Sequence, residues 1–211
     1  MSTTVLIDYG AGNLRSVANA LQSLDADVLI VSSAAEFPAN PARVILPGVG
    51  SFGDSMEELC RRGLDEPVRR CLSSGVPFLG ICVGYQMLFD SSEESPGIPG
   101  LGILKGQVKR FLPGKKVPHM GWNSTALTHP DHPCWAGLDA EPYFYFVHSY
   151  FPVPEEPSII AAVTEYEEKF AAAVIRDHLW AVQFHPEKSQ DSGLQLIRNF
   201  LQQSAPASCT I

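Results

Sequence analysis

A cysteine with a glycine two residues to either side is the first candidate for chemistry in this chain of 211 residues. Cys82 stands at the centre of the segment GICVGYQ (residues 80–86), between Gly80 and Gly84. An apolar, β-prone run precedes it and a helix-compatible run follows, which predicts a nucleophile elbow, where flanking side chains would clash. A thiol at the start of a helix is biased toward the reactive thiolate. Most cysteines are instead small buried apolar residues, which is our interpretation of Cys60, Cys71, Cys134 and Cys209.

His185 is the candidate base for this thiol, within the segment HPE (residues 185–187). In extended chain, residues two positions apart point to the same side. Glu187 can therefore accept a hydrogen bond from one imidazole nitrogen and leave the other for Cys82, which is the logic of a catalytic triad. A strand-end histidine beside an ordinary surface glutamate remains the alternative, because His185 and Cys82 lie far apart in the chain.

Attack on a carbonyl group also needs hydrogen-bond donors for the oxyanion. The backbone amide of Val83, directly after the cysteine, is the first candidate. The segment PGVG (residues 47–50) follows an apolar run, and its glycines can turn the amide of Val49 inward. Segments of this kind also form ordinary turns, so this motif by itself indicates little.

The order of apolar segments predicts an α/β fold that can bring these residues together. Residues 5–7, 28–31, 44–46 and 78–81 read as strands, and the continuous apolar runs at 28–31 and 44–46 are typical of strands covered on both faces. Helical spacing predicts a helix after the first strand and a second helical stretch over 57–73, interrupted near Gly63 and Pro67. Ligands of such sheets bind beyond the carboxyl ends of the strands.

The second half of the chain looks largely antiparallel. Its predicted strands are residues 107–111, 143–147, 159–164, 171–175 and 180–184, and residues 192–202 form a closing helix. We predict one α/β domain over residues 1–211, with a central mixed, mostly parallel sheet, helices on both faces and a smaller antiparallel part.

Composition and charge exclude several classes of protein. The chain is 45% apolar and 18% charged, so it can bury a full core. It has 15 Lys and Arg against 23 Asp and Glu and no basic run, which argues against nucleic acid as a ligand. The start of the sequence lacks signal-peptide features, and no apolar run approaches the roughly 18 residues that span a bilayer. We therefore expect a soluble, cytoplasmic protein, and the motifs predict neither a metal nor a cofactor.

Three of these motifs in register, at residues 47–50, 80–86 and 185–187, resemble those of the class I glutamine amidotransferases. Further segments are similar to the family of glutaminase subunits that serve imidazole glycerol phosphate synthases. These segments are DYGAGNL (8–14), PHMGWN (118–123), YFVHSY (145–150) and QFHPEKS (183–189). The similarity covers essentially the whole chain.

The resemblance implies a flavodoxin-like domain and a Cys82, His185 and Glu187 triad that hydrolyses glutamine through a thioester. It implies a heterodimer with a cyclase subunit, a (β/α)8 barrel, which uses the ammonia to form imidazole glycerol phosphate and an aminoimidazole carboxamide ribonucleotide in histidine biosynthesis. The residues that it assigns are Val49 and Val83 for the oxyanion, Gly50, Gln86, Glu94, Ser149 and Tyr150 for glutamine, and Asn13, Trp122, Tyr145 and Lys188 for the partner interface. His119 and His148 receive no catalytic role.

Three other functions stay open. The chain could be the glutaminase of another synthase, such as that of vitamin B6 synthesis, which its partner would reveal. It could be a cysteine hydrolase of peptides or γ-glutamyl conjugates, or a catalytically silent binding subunit with an unreactive thiol. Without the resemblance, Gln86 is best interpreted as an exposed helix residue and Glu94 as a solvated charge.

Overall fold

The computed structural model of the protein describes residues 3–10, 13–112, 116–166 and 168–204; Cys209 and residues 11–12 lie outside these ranges. The strands are β1 (Thr4–Ile7), β2 (Val28–Val31), β3 (Arg43–Leu46), β4 (Phe78–Ile81), β5 (Ser91–Ser92), β6 (Gly106–Arg110), β7 (His119–Ser124), β8 (Ala126–Leu127), β9 (Tyr143–His148), β10 (Tyr150–Pro154), β11 (Ile160–Tyr166), β12 (Glu168–Arg176) and β13 (Leu179–Val182). The α-helices are α1 (Leu14–Ser23), α2 (Phe52–Arg61), α3 (Asp65–Ser73), α4 (Val83–Gln86) and α5 (Gln190–Leu201).

The main sheet has eight strands in the order β2-β1-β3-β4-β13-β12-β11-β8. The strands from β2 to β13 are mutually parallel, while β12, β11 and β8 continue the sheet in antiparallel fashion. Two small sheets, β10-β6-β5 and β7-β9, complete the fold. The predicted mixed, mostly parallel sheet with a smaller antiparallel part is confirmed.

Helices on both faces follow from the directions of the crossovers. The chain moves from β1 to β2 in one direction across the sheet and from β3 to β4 in the other. Because βαβ crossovers are right-handed, these opposite moves put α1 on one face and the helices α2 and α3 on the other. α1 turns Val17, Ala18, Ala20 and Leu21 into the core.

Three local predictions are wrong. Cys60, interpreted as a buried apolar residue, is exposed, because it lies outside the buried face of α2. β2 is the edge strand of the main sheet in the described part of the chain, and it is not covered on both faces. Its Leu29 and Ile30 are 39% and 45% exposed. Gly63, with φ +66°, does separate α2 from α3, but Pro67 lies within the first turn of α3, where a missing N–H breaks no helical hydrogen bond.

The topology gathers three chain segments at one edge of the sheet. β3, β4 and β13 are adjacent and parallel, so their carboxyl ends meet. Residues 47–50 follow β3, Cys82 follows β4, and His185 lies shortly after β13. In the described part of the chain, no helix has the length and apolar character needed to cross a membrane.

Candidate active site

Cys82 occupies a strained turn between β4 and α4. Its φ and ψ are 54° and −110°, a conformation that L residues rarely adopt. A Cβ atom on Gly84 would lie 1.9 Å from the carbonyl oxygen of Leu46, so only glycine lets α4 approach β3 this closely. The predicted elbow is therefore present. The expected helix after it is a single turn, so few peptide dipoles align behind the thiol and their effect is small.

His185 and Glu187 form a buried hydrogen-bonded pair. Nδ1 of His185 donates to Oε1 of Glu187 at 2.8 Å, and the two side chains are 1% and 0% exposed. Because the carboxylate must accept, the proton sits on Nδ1. Nε2 of His185 has no hydrogen-bond partner among the described residues, so it is left available to the Cys82 thiol in the same cavity. Burial by itself lowers the pKa of His185, but the negative charge on Cys82 and the interactions with Glu187 outweigh burial and raise this pKa.

One cavity of about 230 Å³ joins the thiol, the imidazole and the predicted binding residues. Its lining residues are Val49, Gly50, Cys82, Val83, Gln86, Glu94, Pro118, Val147, His148, Ser149, Tyr150 and His185. All the residues that the resemblance assigns to glutamine and to the oxyanion are among them. Pro118, Val147 and His148 line the cavity as well, although the sequence alone assigned them no part in it.

Gln86 and Glu94 are held in place by backbone groups. Gln86 is 3% exposed, so its interpretation as an exposed helix residue is wrong. Its Nε2 donates to the carbonyl oxygen of Tyr150 at 3.0 Å. The Glu94 carboxylate is not simply solvated, because it accepts the amide of Phe52 at 2.7 Å, at the start of α2.

The amide of Val83 is already hydrogen-bonded to the neighbouring loop. It donates to the carbonyl oxygen of Gly48 at 3.3 Å. Gly48 has no room for a side chain, because a Cβ atom there would lie 2.6 Å from both the Gly84 nitrogen and the Tyr9 hydroxyl. The carbonyl of Gly48 thus takes up the Val83 amide, the first of the two predicted oxyanion donors.

Two histidines without an assigned role form a directional hydrogen-bonded chain beside the cavity. Nδ1 of His148 lies 2.8 Å from the carbonyl oxygen of Tyr150, which can only accept. His148 is therefore protonated on Nδ1, and its Nε2 accepts from Nδ1 of His119 at 3.2 Å. Asn123 in turn donates to Nε2 of His119 at 3.3 Å. Burial lowers the pKa of His119 to about 4 and that of His148 to about 3, so both are neutral.

Gln183 contacts the nucleophile, although sequence reasoning gave it no role. Its Nε2 lies 3.7 Å from Sγ of Cys82, and the residue is fully buried. One signal was present in the sequence: Gln183 is an uncharged polar residue at the end of the apolar run WAV. Polar groups are buried there only when they have partners.

The residues assigned to the partner interface fall into two groups. Trp122 is 47% exposed and packs edge-on against Tyr145, its partner across β7 and β9. With the exposed Met120 and Tyr143 they form one surface of this ribbon, which we call the aromatic face. Lys188 is exposed, and it directly follows Glu187 in the sequence. Asn13 differs, because it is half-buried and its side chain donates to Glu187.

Comparison with known proteins identifies close relatives. A family model described as glutamine amidotransferase class-I matches residues 5–204. The chain is 48% identical to the imidazole glycerol phosphate synthase subunit HisH of Methylococcus capsulatus over 210 residues, covering 95% of this chain and 96% of that protein. It is 50% identical to the subunit of the same name from Nitrosococcus oceani over 205 residues, covering 95% and 97%.

Solved structures share the fold at much lower identity. PurLQS from Thermotoga maritima has a TM-score of 0.77 and 18% identity, covering 94% of this chain and 97% of that one. A crystal structure described as a glutamine amidotransferase has a TM-score of 0.71 and 22% identity, covering 95% and 97%. At these identities the likeness bears on architecture alone.

Proposed function

Since this chain belongs to the class I glutamine amidotransferases and, within them, to the HisH subunits of imidazole glycerol phosphate synthase, we propose that it hydrolyses glutamine and supplies the ammonia for histidine biosynthesis. The observation that carries this proposal is the shared cavity of Cys82 and His185. A strained cysteine beside a buried imidazole with a fixed tautomer is what an amide hydrolase needs.

In the proposed reaction, the Cys82 thiolate attacks the side-chain amide carbon of glutamine. The carbon–nitrogen bond breaks, and protonated His185 gives its proton to the departing nitrogen, so that ammonia leaves and a thioester remains. Neutral His185 then takes a proton from water, and the resulting hydroxide attacks the thioester. Glutamate leaves and the Cys82 sulfur departs as thiolate, which restores the ion pair. Glu187 keeps the proton on Nδ1 throughout and stabilises the positive charge on the imidazole.

The oxyanion site is proposed to form by rotation of one peptide group. The hydrogen bond from Val83 to the Gly48 carbonyl describes a resting state, in which a carbonyl oxygen occupies the place of the oxyanion. Turning the peptide between Gly48 and Val49 removes this oxygen, frees the Val83 amide and brings the Val49 amide into the cavity. Binding of glutamine and of the partner would favour the turned state.

Glutamine is proposed to bind with its α-amino group toward Gln86 and Glu94. Nε2 of Gln86 is already used by Tyr150 and Gln183, so its Oε1 is the atom left to accept a hydrogen bond from the ammonium group. The Glu94 carboxylate adds negative charge. Backbone groups of Gly50, Ser149 and Tyr150 would bind the remaining polar groups of the substrate.

The partner is proposed to be a cyclase subunit, a (β/α)8 barrel, that docks on the aromatic face with Lys188 and Asn13 beside it. Exposed aromatic residues on a rigid ribbon are typical of interface anchors. Ammonia released into bulk water becomes ammonium, which is not a nucleophile, so it must pass to the partner through an enclosed route. The thiol chemistry requires a reducing compartment, for which the cytoplasm is our proposal.

Glutamate release by the chain, measured with and without the cyclase subunit, tests both parts of this function. We expect turnover in the complex and a much lower rate for the chain alone. Equal rates of glutamate release with and without the cyclase subunit would contradict the proposed rotation of the peptide between Gly48 and Val49. Absence of turnover in the complex, together with no labelling of Cys82 by the glutamine-mimicking electrophile 6-diazo-5-oxonorleucine, would remove the glutaminase function itself.

A further inference from the structure

We propose that Gln183 is a further catalytic residue, whose side-chain amide donates a hydrogen bond to the Cys82 sulfur and stabilises the thiolate. This inference rests on the proposed glutaminase function and adds to it a group that touches the reacting atom. Nε2 of Gln183 lies 3.7 Å from Sγ of Cys82, within hydrogen-bonding distance for sulfur.

Backbone hydrogen bonds to the neighbouring strands β4 and β12 hold Gln183 beside Cys82. β13 pairs with β4 in parallel, with Val182 opposite Ile81, so the two residues that follow lie next to each other. The Cys82 amide donates to the carbonyl oxygen of Val182 at 2.8 Å, and the Gln183 amide donates to that of Ala172 at 2.8 Å. The backbone on both sides of the contact is therefore fixed by strand hydrogen bonds.

The direction of the Gln183 amide is determined by its neighbours. Nε2 of Gln86 donates to the carbonyl of Tyr150, so this atom of Gln86 is the amide nitrogen. The same nitrogen donates to the nearest side-chain atom of Gln183 at 3.1 Å, and that atom must be the oxygen. The amide nitrogen of Gln183 is consequently the group that faces the sulfur.

A buried amide directed at sulfur favours the charged form of the thiol. Hydrogen bonds to ionised acceptors are stronger than those to neutral ones, and a neutral thiol is a weak acceptor. Gln183 does not titrate, so it assists at any pH, whereas His185 loses its positive charge when it protonates the leaving ammonia. The sulfur carries negative charge both before it attacks and when it leaves the thioester. Gln183 can stabilise it in both states.

The test is the pH dependence of Cys82 alkylation by iodoacetamide in the full chain, followed peptide by peptide with mass spectrometry. Gln183→Met keeps the approximate size of the side chain and removes the donor. We expect the midpoint for Cys82 to rise by about one pH unit, which makes alkylation about tenfold slower below both midpoints. Exposed Cys60 serves as the internal reference and should keep its midpoint.

Gln195→Met is the matched control, because it makes the same chemical change on α5. There the side-chain amide of Gln195 donates hydrogen bonds to the carbonyl oxygen of Ala136 and to Oδ1 of Asn199. It should leave the Cys82 midpoint unchanged. A folded Gln183→Met variant with an unshifted Cys82 midpoint overturns the proposal. So does an equal shift in the Gln195→Met control.

A second measurement needs no Gln183 variant and covers the case in which that variant fails to fold. The side-chain amide resonances of Gln183 should titrate with the Cys82 midpoint in the wild-type protein and stop doing so in Cys82→Ala. Gln183 amide resonances that do not shift at the Cys82 midpoint in the wild-type protein contradict the inference. Failure of the glutaminase function is a different result, namely a wild-type Cys82 that 6-diazo-5-oxonorleucine does not label.

Discussion

The side chain of Asn13, at the start of α1, donates a hydrogen bond to the Glu187 carboxylate that holds His185. One oxygen, Oε1, accepts from both residues, and the Glu187 side chain is fully buried. A residue assigned by resemblance to the partner interface is thus in direct contact with the proposed triad.

Replacing Asn13 by alanine should lower kcat for glutamine hydrolysis in the complex by about tenfold with a smaller change in KM. The carboxylate loses one of the two hydrogen bonds that the described residues give it and orients His185 less well, which matters most in the transition state. Steady-state glutamate release measures both constants. Trp122→Ala is the comparison, since it should weaken partner binding and leave kcat of the saturated complex nearly unchanged. A pure affinity effect for Asn13→Ala would contradict the link to Glu187.

Glu187→Gln should lower kcat by roughly 10²-fold to 10⁴-fold while KM for glutamine changes little. The glutamine amide can present a donor to Nδ1 of His185, which favours the wrong tautomer and removes the negative charge that stabilises the imidazolium. Glutamine-dependent turnover of the complex gives both constants. A surface substitution, Glu36→Gln, provides the control. An effect confined to KM would place Glu187 with the binding groups instead.

Cys82→Ala should abolish glutamine-dependent synthesis by the complex and preserve synthesis supplied with ammonium salts. The substitution removes the nucleophile, whereas the cyclase chemistry belongs to the proposed partner. Product formation with each nitrogen source is the measurement, and Cys60→Ala, at an exposed cysteine, should retain both activities. Loss of both activities in a Cys82→Ala complex that still assembles would contradict this division of labour.

The stability of the protein should fall as the pH is lowered from about 6.5 toward 4 because of the buried histidine pair. Burial lowers the pKa of His119 to about 4 and that of His148 to about 3, below the value of 6.5 that applies to the unfolded chain. The unfolded state therefore binds more protons in this window. Each histidine contributes up to about 1.4 kcal/mol of lost stability per pH unit, and no further gain is expected above pH 6.5.

Urea unfolding at several pH values tests this expectation. His119→Gln should be less stable at pH 7, because the chain of hydrogen bonds to Tyr150 is interrupted, and should show a shallower slope than the wild type between pH 6.5 and 4. Comparing the slopes removes the contribution of the carboxylates, which both proteins share. Gln195→Met, which removes no titratable group, should keep the wild-type slope. Identical slopes for His119→Gln and wild type would contradict the assignment.

Several features could be predicted from the sequence because their causes are local. The spacing of Gly80 and Gly84 around Cys82 reflects steric crowding in one turn. His185 and Glu187 are close in sequence and their side chains do meet, but through a 3₁₀ turn at Pro186–Lys188 and not through the predicted extended chain. The apolar runs locate most of the predicted ends within a residue or two: β13 ends at Val182 instead of residue 184, and α5 begins at Gln190 instead of 192. β12 begins at Glu168, three residues before the predicted start, and β7 and β10 were not predicted as strands. Local periodicity and sterics are enough for such predictions.

The remaining features depend on which strands become neighbours, and only the tertiary structure decided them. Cys82 and His185 share a cavity because β4 and β13 pair, although nearly half of the chain separates them. The same pairing brings Gln183 to the sulfur, and the packing of α1 against the turn after β13 brings Asn13 to Glu187. Periodicity records which side of an element is buried, but contacts between distant segments follow from the order of strands in the sheet, which no local pattern encodes.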